Sequence, residues 1–444
     1  MKNKVLIVGS GGREHALGWS ISQDKDVDEV IYAKGNAGTS LDDKCRNIDI
    51  DGTKKENFSE LSDFVKNEKI DMVVVGPEQP LAHGIVDYFH NRYYDNVFGP
   101  KKDASIIETS KAYSFSLMRE LEIHQADSTV CPNKIVAIET IKQLNKKNGI
   151  VIKADGLTGG KGVYVCDNKD EALLRLEEHA EKYSGSIIIA ERLYGEEFSV
   201  FGISDGKRVI PLKISVQDHK RLLDNDKGPN TGGMGAYCPA PVANVKVVNS
   251  VAEDMMAPIV RKMEYDKEYR GFLYAAVIMT KNFWIIKKPK ILEYNCRFGD
   301  PEAQPVVMML NSIYRPIKSA LEGKTENIKF DLKKGAACCV VMASNGYPFE
   351  YEKGYPIGGL EEVAKMKDVK VFHAGTILNE KGQVITAGGR VLGVTSYSEN
   401  GIKDAVGKAY DAVHVIDNAT SKINGKKVFV YRNDIARKAI ERLK

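Results

Sequence analysis

At 444 residues the chain is too long for one ordinary domain, and roughly two to four are expected. Its composition, 43% hydrophobic and 28% charged with 39 glycines and 15 prolines, excludes collagenous, low-complexity and disordered classes. A net charge of +4 excludes a broad electrostatic footprint for nucleic acid or an anionic membrane, so any anion site must be local.

At the amino end Lys2 and Lys4 flank a start to the apolar run Val5-Leu6-Ile7-Val8, which is too short for a secretory core of ~7 to 15 residues and reads as a buried strand. From there to about residue 102, apolar strand runs (5–8, 29–32, 72–75) alternate with amphipathic helical stretches (13–22, 57–67, 82–92). This βαβαβα pattern predicts a parallel sheet covered on both faces, with ligands beyond the carboxyl ends of its strands. A polar connection at Lys101-Lys102-Asp103 marks the first boundary, and a helix is expected around 111–121. The spacing predicts a strand over 149–153, a glycine-rich turn over 156–162, a strand over 163–166, a helix over 169–183 and a strand over 187–190. Strands at 273–280 and 290–295 and helices near 247–262 and 302–310 make the centre α+β. From Lys333 short strands with glycine turns precede helices at 402–416 and 435–443, which sets off a third domain. The expected division is 1–102, 103–330 and 331–444.

The remaining apolar runs, 272–279 and 336–343, are far short of the ~20 residues that cross a bilayer. Seven cysteines without a C-x-x-C pair argue against a disulfide framework or structural zinc, and for buried thiols in a reducing, cytoplasmic setting.

Four stretches carry chemistry. Gly9-Ser10-Gly11-Gly12-Arg13-Glu14 opens a helix after the first strand but has Glu14 where a dinucleotide fingerprint needs glycine, and the second strand ends on Lys34 without a ribose-binding acid. A cradle for a small phosphate monoester remains, beside the alternative of a turn with no ligand. Lys153 to Gly162 fails as a P-loop because Gly162 stands where Ser or Thr should be. Its glycine turn, with Lys153 and Lys161, can still cover phosphates, or it is a hairpin with solvated lysines. Glu293, Asn295 and Arg297 fall at i, i+2 and i+4 of a strand and so on one face, which suits one magnesium and a transferring phosphoryl group; an edge strand with a Glu/Arg pair is the alternative. Asp300-Pro301-Glu302 then reads as a helix start with Asp300 as the cap. Finally, 217–221 and the glycine-rich 228–236 place charges beside a loop that either closes over an anionic substrate or is a surface turn. No Ser/His/Asp arrangement, zinc motif or covalent nucleophile stands out, which leaves electrostatic positioning as the chemistry.

Together, Val8 to Ala16, Gln217 to Arg221, Pro229 to Tyr237, Arg297 to Glu302 and Gly388 to Val394 resemble the phosphoribosylamine-glycine ligase family of ATP-grasp enzymes, nearly end to end. The resemblance implies a Rossmann-like pre-ATP-grasp domain, a central ATP-grasp domain with an inserted lid at about 123–190, and a small carboxyl-terminal α+β domain. It implies ligation of glycine to 5-phosphoribosylamine with ATP, through glycyl phosphate, in purine biosynthesis. Glu293 and Asn295 would hold Mg2+ or Mn2+. Arg297, Lys220 and Asp218 would be catalytic. Lys111, Lys153, Gly159, Gly160, Lys161, Gly162, the hinge Glu191, Arg192 and Leu193, and Glu197, Arg221 and Asn230 would bind ATP. Gly9, Gly11, Gly12, Arg13, Glu14, Pro77, Glu78, Gly233, Gly389 and Arg390 would meet glycine or phosphoribosylamine. The expected partners are these small molecules alone, with no nucleic acid or membrane, and the chain is expected as a monomer or a dimer. An ATP-grasp carboxylase or peptide-type ligase, an NAD-dependent oxidoreductase and a non-catalytic nucleotide-binding module are the competing readings.

Overall fold

The computed structural model describes residues 3–144, 149–159, 162–264, 267–280 and 288–443. Strands β1 (Asn3–Gly9), β2 (Val27–Lys34), β3 (Cys45–Ile48), β4 (Met72–Val75) and β5 (Val97–Phe98) form a parallel sheet in the order β3-β2-β1-β4-β5. Alternation along β1 explains its unbroken apolar run: Leu6 and Val8 enter one core while Val5 and Ile7 enter another, and all four are fully buried. Each such burial stabilises by about 1.5–3 kcal/mol. β2 and β4 flank β1 on opposite sides, so the order reverses at β1 and a crevice opens past its end. Val8 lies beside Val75, which brings the turns at Gly9 and Gly76 together.

A four-stranded antiparallel sheet follows, β6 (Ser128–Cys131), β7 (Ile150–Ala154), β8 (Val163–Cys166) and β9 (Ile187–Glu191), ordered β6-β9-β7-β8. Helices Lys134–Gln143 and Lys169–Lys182 cover it around a small core of its own. The second large sheet takes β10 (Gly195–Asp205), β11 (Val209–Asp218), β14 (Gly235–Cys238), β15 (Arg270–Thr280), β16 (Pro289–Asn295), β17 (Ala336–Ser344), β18 (Val369–His373) and β21 (Arg390–Ser398), with β22 (Phe429–Val430) paired to β17. Between β11 and β14 the chain makes the hairpin β12 (Arg221–Leu223) and β13 (Lys227–Asn230), and β19 (Thr376–Leu378) pairs with β20 (Val384–Thr386). Because β14 pairs with β17, this sheet runs without interruption across residue 331, where the sequence pattern changes.

Several elements differ from the sequence expectation. The helix expected over 82–92 is two short helices, Glu78–Ala82 and Ile85–His90, separated at Gly84, whose φ of 80° ends the first. The helix near 247–262 is Val245–Val251 and Ala257–Met263 joined by a π turn at Ala252–Met256. Asp300 is not a helix cap: the helix begins at Ala303, and the Asp300 carboxylate accepts hydrogen bonds from Gln304 and Arg390 instead. Among the described residues no helix is long and apolar enough to cross a membrane, and all seven cysteines are unpaired.

Candidate active site

The glycines after β1 leave room for a side chain rather than for empty space. Gly11 N–H donates to Glu14 Oε2 at 2.8 Å, and Arg13 Nε donates to Glu14 Oε1 at 2.6 Å. A Cβ on Gly9 would sit 2.7 Å from Glu14 Cγ, and one on Gly76 would overlap the same carboxylate. Glu14 is therefore wedged between the two turns, 3% exposed, where a dinucleotide fingerprint would have backbone only. Pro77 closes the same corner, 3.1 Å from a Cβ placed on Gly9. Gly12 opens the helix toward Asp300, whose Oδ1 would lie 3.5 Å from a Cβ there.

Arg297 joins this corner to the second sheet. The strand ends at Asn295, so Glu293 and Asn295 share a face as expected, while Arg297 lies two residues past the strand and not on it. It is drawn back by its partners: Nε donates to Glu78 Oε2 at 3.2 Å, NH2 meets Glu108 Oε1 at 2.9 Å and Asn295 Oδ1 at 3.3 Å, and NH1 donates to the Phe298 carbonyl at 3.1 Å. Arg13 NH1 donates to that same carbonyl at 3.1 Å and lies 3.7 Å from Glu78 Oε2. Burial pushes the Glu78 carboxyl up, but Arg297 and Arg13 outweigh it and hold it at about 2. Glu108 goes the other way: burial raises it and one arginine does not reverse that. The arginine itself is held firmly charged, because Glu108 and Glu78 outweigh its own desolvation.

Glu293 stands among cations. Burial would raise its carboxyl, yet Lys111, Lys220, Lys153 and Arg297 together bring it below the ordinary range. Among the described residues no group donates a hydrogen bond to it, so its oxygens are held by field alone. Lys153, 8% exposed at the end of β7, donates to the Leu292 carbonyl at 3.1 Å and lies 5.0 Å above the Phe115 ring; burial lowers its pKa. Lys111 opens its helix behind the cap Ser110 and donates to the Gly156 carbonyl at 3.2 Å. Asp155 ties the glycine turn to that helix, accepting from Ala112 N–H at 3.1 Å. In the turn Gly159 has a φ of 58°, and Gly162 N–H donates to Thr158 Oγ1 at 3.2 Å. Gly160 and Lys161 lie outside the described residues.

Lys220 donates to Glu197 Oε2 at 2.7 Å. Attraction to Glu197 raises the lysine well above its ordinary value, and the same pair lowers the glutamate. Glu197, Ser199, Asp218, Lys220 and Tyr274 line one small cleft. Asp218 Oδ1 is buried there with no hydrogen-bond partner among the described residues. Burial and the nearby Glu302 raise its carboxyl well above the carboxylate range. Glu302 is anchored by Tyr274 OH at 2.9 Å and Ser199 Oγ at 3.3 Å. Gly233 must lack a side chain, since a Cβ there would overlap Pro301 and stand 2.9 Å from Asp218 Oδ1, and its φ is 108°. Arg390 closes this side, donating to the Asp300 carbonyl at 2.7 Å and Oδ2 at 2.9 Å and to the Gly232 carbonyl. Neighbouring Gly389 stays bare under Tyr347, whose Cδ2 would be 2.6 Å from a Cβ.

The hinge is less available than its sequence suggests. Glu191 N–H bonds the Asp127 carbonyl at 2.9 Å and Arg192 N–H the Gly149 carbonyl at 3.3 Å, while Glu191 Oε1 takes Lys290 Nζ at 3.0 Å. Arg192 pairs with Asp167 and lies 4.9 Å from the Tyr194 ring. Leu193, half-buried just beyond β9, is the hinge residue whose backbone makes no such bond among the described residues. Arg221 NH1 donates to the Gly228 carbonyl at 2.7 Å, and Arg221 faces Asn230 across the hairpin.

The structure thus couples Glu293 to Lys111, Lys153, Lys220 and Arg297, Arg297 to Asn295 and Lys220 to Glu197, and brings Gly9, Gly11, Gly12, Arg13, Glu14, Pro77 and Glu78 to the corner joined to them by Arg297. Sequence reasoning missed Glu108, Tyr274 and Ser199, and gave Glu302 no role. Glu302 lay within a motif already singled out; the others carry no local signal, because only pairing of distant segments brings them in.

An all-oxygen pair such as Glu293 and Asn295 suits a hard divalent cation, which takes few protein ligands when phosphates complete its shell. Among the described residues no group of three or more His, Cys, Asp or Glu could hold a metal. The pair therefore fits a cation that shares its coordination with a bound phosphate.

Models of the three domains of phosphoribosylglycinamide synthetase match this chain: the N domain over residues 3–108, the ATP-grasp (A) domain over 109–303 and the C domain over 337–438. A phosphoribosylamine--glycine ligase of Rhodopirellula baltica is 43% identical over 429 residues, 94% of this chain and 94% of its own. One of Pseudomonas aeruginosa is 42% identical over 446 residues, 99% of this chain and 98% of its own. The crystal structure of the Thermotoga maritima phosphoribosylamine--glycine ligase is similar with a TM-score of 0.77 at 30% identity, covering 98% of this chain and all of its own.

Proposed function

The chain belongs to the phosphoribosylglycinamide synthetase family, and from that premise we infer that it ligates glycine to 5-phosphoribosylamine with ATP. The products are glycinamide ribonucleotide, ADP and phosphate, in purine biosynthesis. The observation that carries this reading is the gathering of cations about the Glu293 strand, where Lys153 bonds the Leu292 carbonyl, Arg297 bonds Asn295 and Lys111 and Lys220 add to the field on Glu293. That field suits a polyanionic nucleotide with its cation better than a neutral ligand or a nicotinamide.

Lys111 and Lys153 take the nucleotide phosphates, and Gly159 and Gly162, with Gly160 and Lys161 of the same run of sequence, are further ATP-binding residues. Leu193, with Glu191 and Arg192, borders the adenine, Glu197 the ribose, and Arg221 and Asn230 the outer side of the nucleotide. Glu293 and Asn295 would hold Mg2+ or Mn2+, which would neutralise phosphate charge. A glycine carboxylate oxygen attacks the γ-phosphorus, the bond to the bridging oxygen breaks and ADP leaves. Arg297 stabilises the charge on the transferring phosphoryl group from a position fixed by Glu78 and Glu108. The amine of phosphoribosylamine then attacks the acyl carbon of glycyl phosphate and inorganic phosphate departs. Lys220 neutralises that leaving phosphate, which carries away the proton the attacking amine sheds, and Asp218, whose raised carboxyl keeps its own proton, orients the amine through its unpartnered Oδ1. Arg13, Glu14, Gly9, Gly11, Gly12, Pro77 and Glu78 shape the phosphoribosylamine corner, while Gly233, Gly389 and Arg390 close the opposite wall. We place the enzyme in the cytoplasm, which the seven unpaired thiols suit, as a monomer or a dimer.

Glycine labelled with 18O in its carboxylate tests the acyl phosphate directly. One labelled oxygen per turnover is expected in the inorganic phosphate released. Unlabelled phosphate would mean that the carboxylate is never phosphorylated.

A further inference from the structure

The hairpin β12–β13 carries Arg221 and Asn230 opposite each other and follows Lys220 directly. A two-stranded ribbon is marginal in water on its own. At its tip Asn225 and Asp226 have φ of 60° and 54°, a left-handed conformation that residues other than glycine keep only when their surroundings hold it.

What holds it is a segment near the end of the chain. Arg432 is 1% exposed although it is an arginine, and its side chain plays no part in the chemistry above. Its NH1 donates to the Arg221 carbonyl at 3.1 Å and to Asp226 Oδ1 at 2.9 Å. Its Nε and NH2 grip Asp434 at 2.7 and 2.8 Å, and Asp434 Oδ2 accepts Asn225 N–H at 2.8 Å. Asn433 binds Asp224 twice, through N–H at 2.7 Å and Nδ2 at 3.2 Å. Lys438 meets Asp226 Oδ2 at 2.9 Å, Arg437 donates to Asn225 Oδ1, and Ala436 N–H donates to His219 Nε2 at 3.1 Å. The other end of the clamp is rooted: Tyr410 OH, on the helix Ile402–Asn424, donates to the Arg432 carbonyl at 2.8 Å and accepts Ile435 N–H at 3.1 Å. A planar guanidinium with five donors makes this set of bonds, which an ammonium could not reproduce.

We propose that Arg432 is a positioning residue for the nucleotide: it clamps the tip of the hairpin and thereby sets Arg221 and Asn230 against ATP. The inference rests on the proposed placement of those two residues at the nucleotide. It gives the terminal part of the third region a task in nucleotide binding.

Two variants test it, Arg432→Gln in the buried fork and Asp224→Ala at the exposed tip, where only the two Asn433 bonds are removed. The readouts are equilibrium binding of ATP with Mg2+, the KM values for ATP and glycine, kcat, and the thermal unfolding midpoint. For Arg432→Gln the Kd and KM for ATP should rise about tenfold, the equivalent of one charge-assisted hydrogen bond. Asp224→Ala should move both in the same direction by about threefold, and in both variants kcat and the KM for glycine should stay within about twofold. Unchanged ATP binding in a folded variant would overturn the proposal. So would a loss in which the ATP and glycine constants rise together while kcat and the unfolding midpoint fall, since that is what a merely structural residue gives. If Arg432→Gln does not fold, Asp224→Ala decides by the same criteria. Wild-type protein that bound no ATP would bring down the functional reading along with this one, whereas wild-type binding with unaffected variants would bring down this one alone.

Discussion

Glu293→Ala should abolish turnover, lowering kcat by at least about a thousandfold, while the protein stays folded. No described residue donates a hydrogen bond to Glu293, so its loss strands no buried partner and opens no hole in an apolar core. What it removes is the carboxylate that Lys111, Lys220, Lys153 and Arg297 all act on. Those cations lower the folded carboxyl below its unfolded value. The stability it contributes is therefore present above the unfolded pKa and fades as pH falls through the folded one. The variant should lose that modest contribution at neutral pH and differ least from wild type in acid. Steady-state ADP release across a range of Mg2+ concentrations, with circular dichroism as the check on folding, is the measurement. Near wild-type turnover with an ordinary Mg2+ dependence would remove Glu293 from the metal site.

Arg297→Met should be as damaging to turnover and, unlike the first variant, damaging to the fold. Here the missing cation leaves Glu108, almost fully buried, without its countercharge, and takes from Glu78 the larger of its two arginine interactions. Breaking a buried pair on one side typically costs about 3–5 kcal/mol. The pH dependence follows from Glu78, held at about 2 in the folded protein. A depressed carboxyl stabilises above its unfolded pKa, and that stability is lost as pH falls toward about 2. The gap between wild type and Arg297→Met should be widest near neutrality and narrow between roughly pH 5 and pH 2. Urea denaturation at several pH values reads this directly. A gap independent of pH would show that the arginine acts through packing rather than charge.

How much was legible follows from how local each signal is. The strand β1 with its glycine turn and the run from Glu293 to Asn295 could be read directly, because periodicity and turn chemistry are written within ten or so residues. The wedge of Glu14 was visible only as a departure from a fingerprint; its meaning, filling the gap between two turns, needed the register of β1 against β4. Arg297 was placed on the strand by spacing alone, whereas the strand ends at Asn295 and partners from residues 78 and 108 recover the position. Glu108 could not be found in the sequence, since its partner is 188 residues away at Cys296. The sheet that crosses residue 331 was likewise hidden: a change of pattern marks a change in strand length and turns, not the end of pairing. Arg432 is the extreme case, a lone arginine near the end of the chain whose importance is entirely tertiary.

The most direct test of the account is ADP release from the purified protein with ATP, Mg2+ and glycine, with and without phosphoribosylamine generated in the cuvette. The account predicts release that requires both co-substrates, with one glycinamide ribonucleotide formed per ADP. Release that ignores either one, or no release at all, would contradict it.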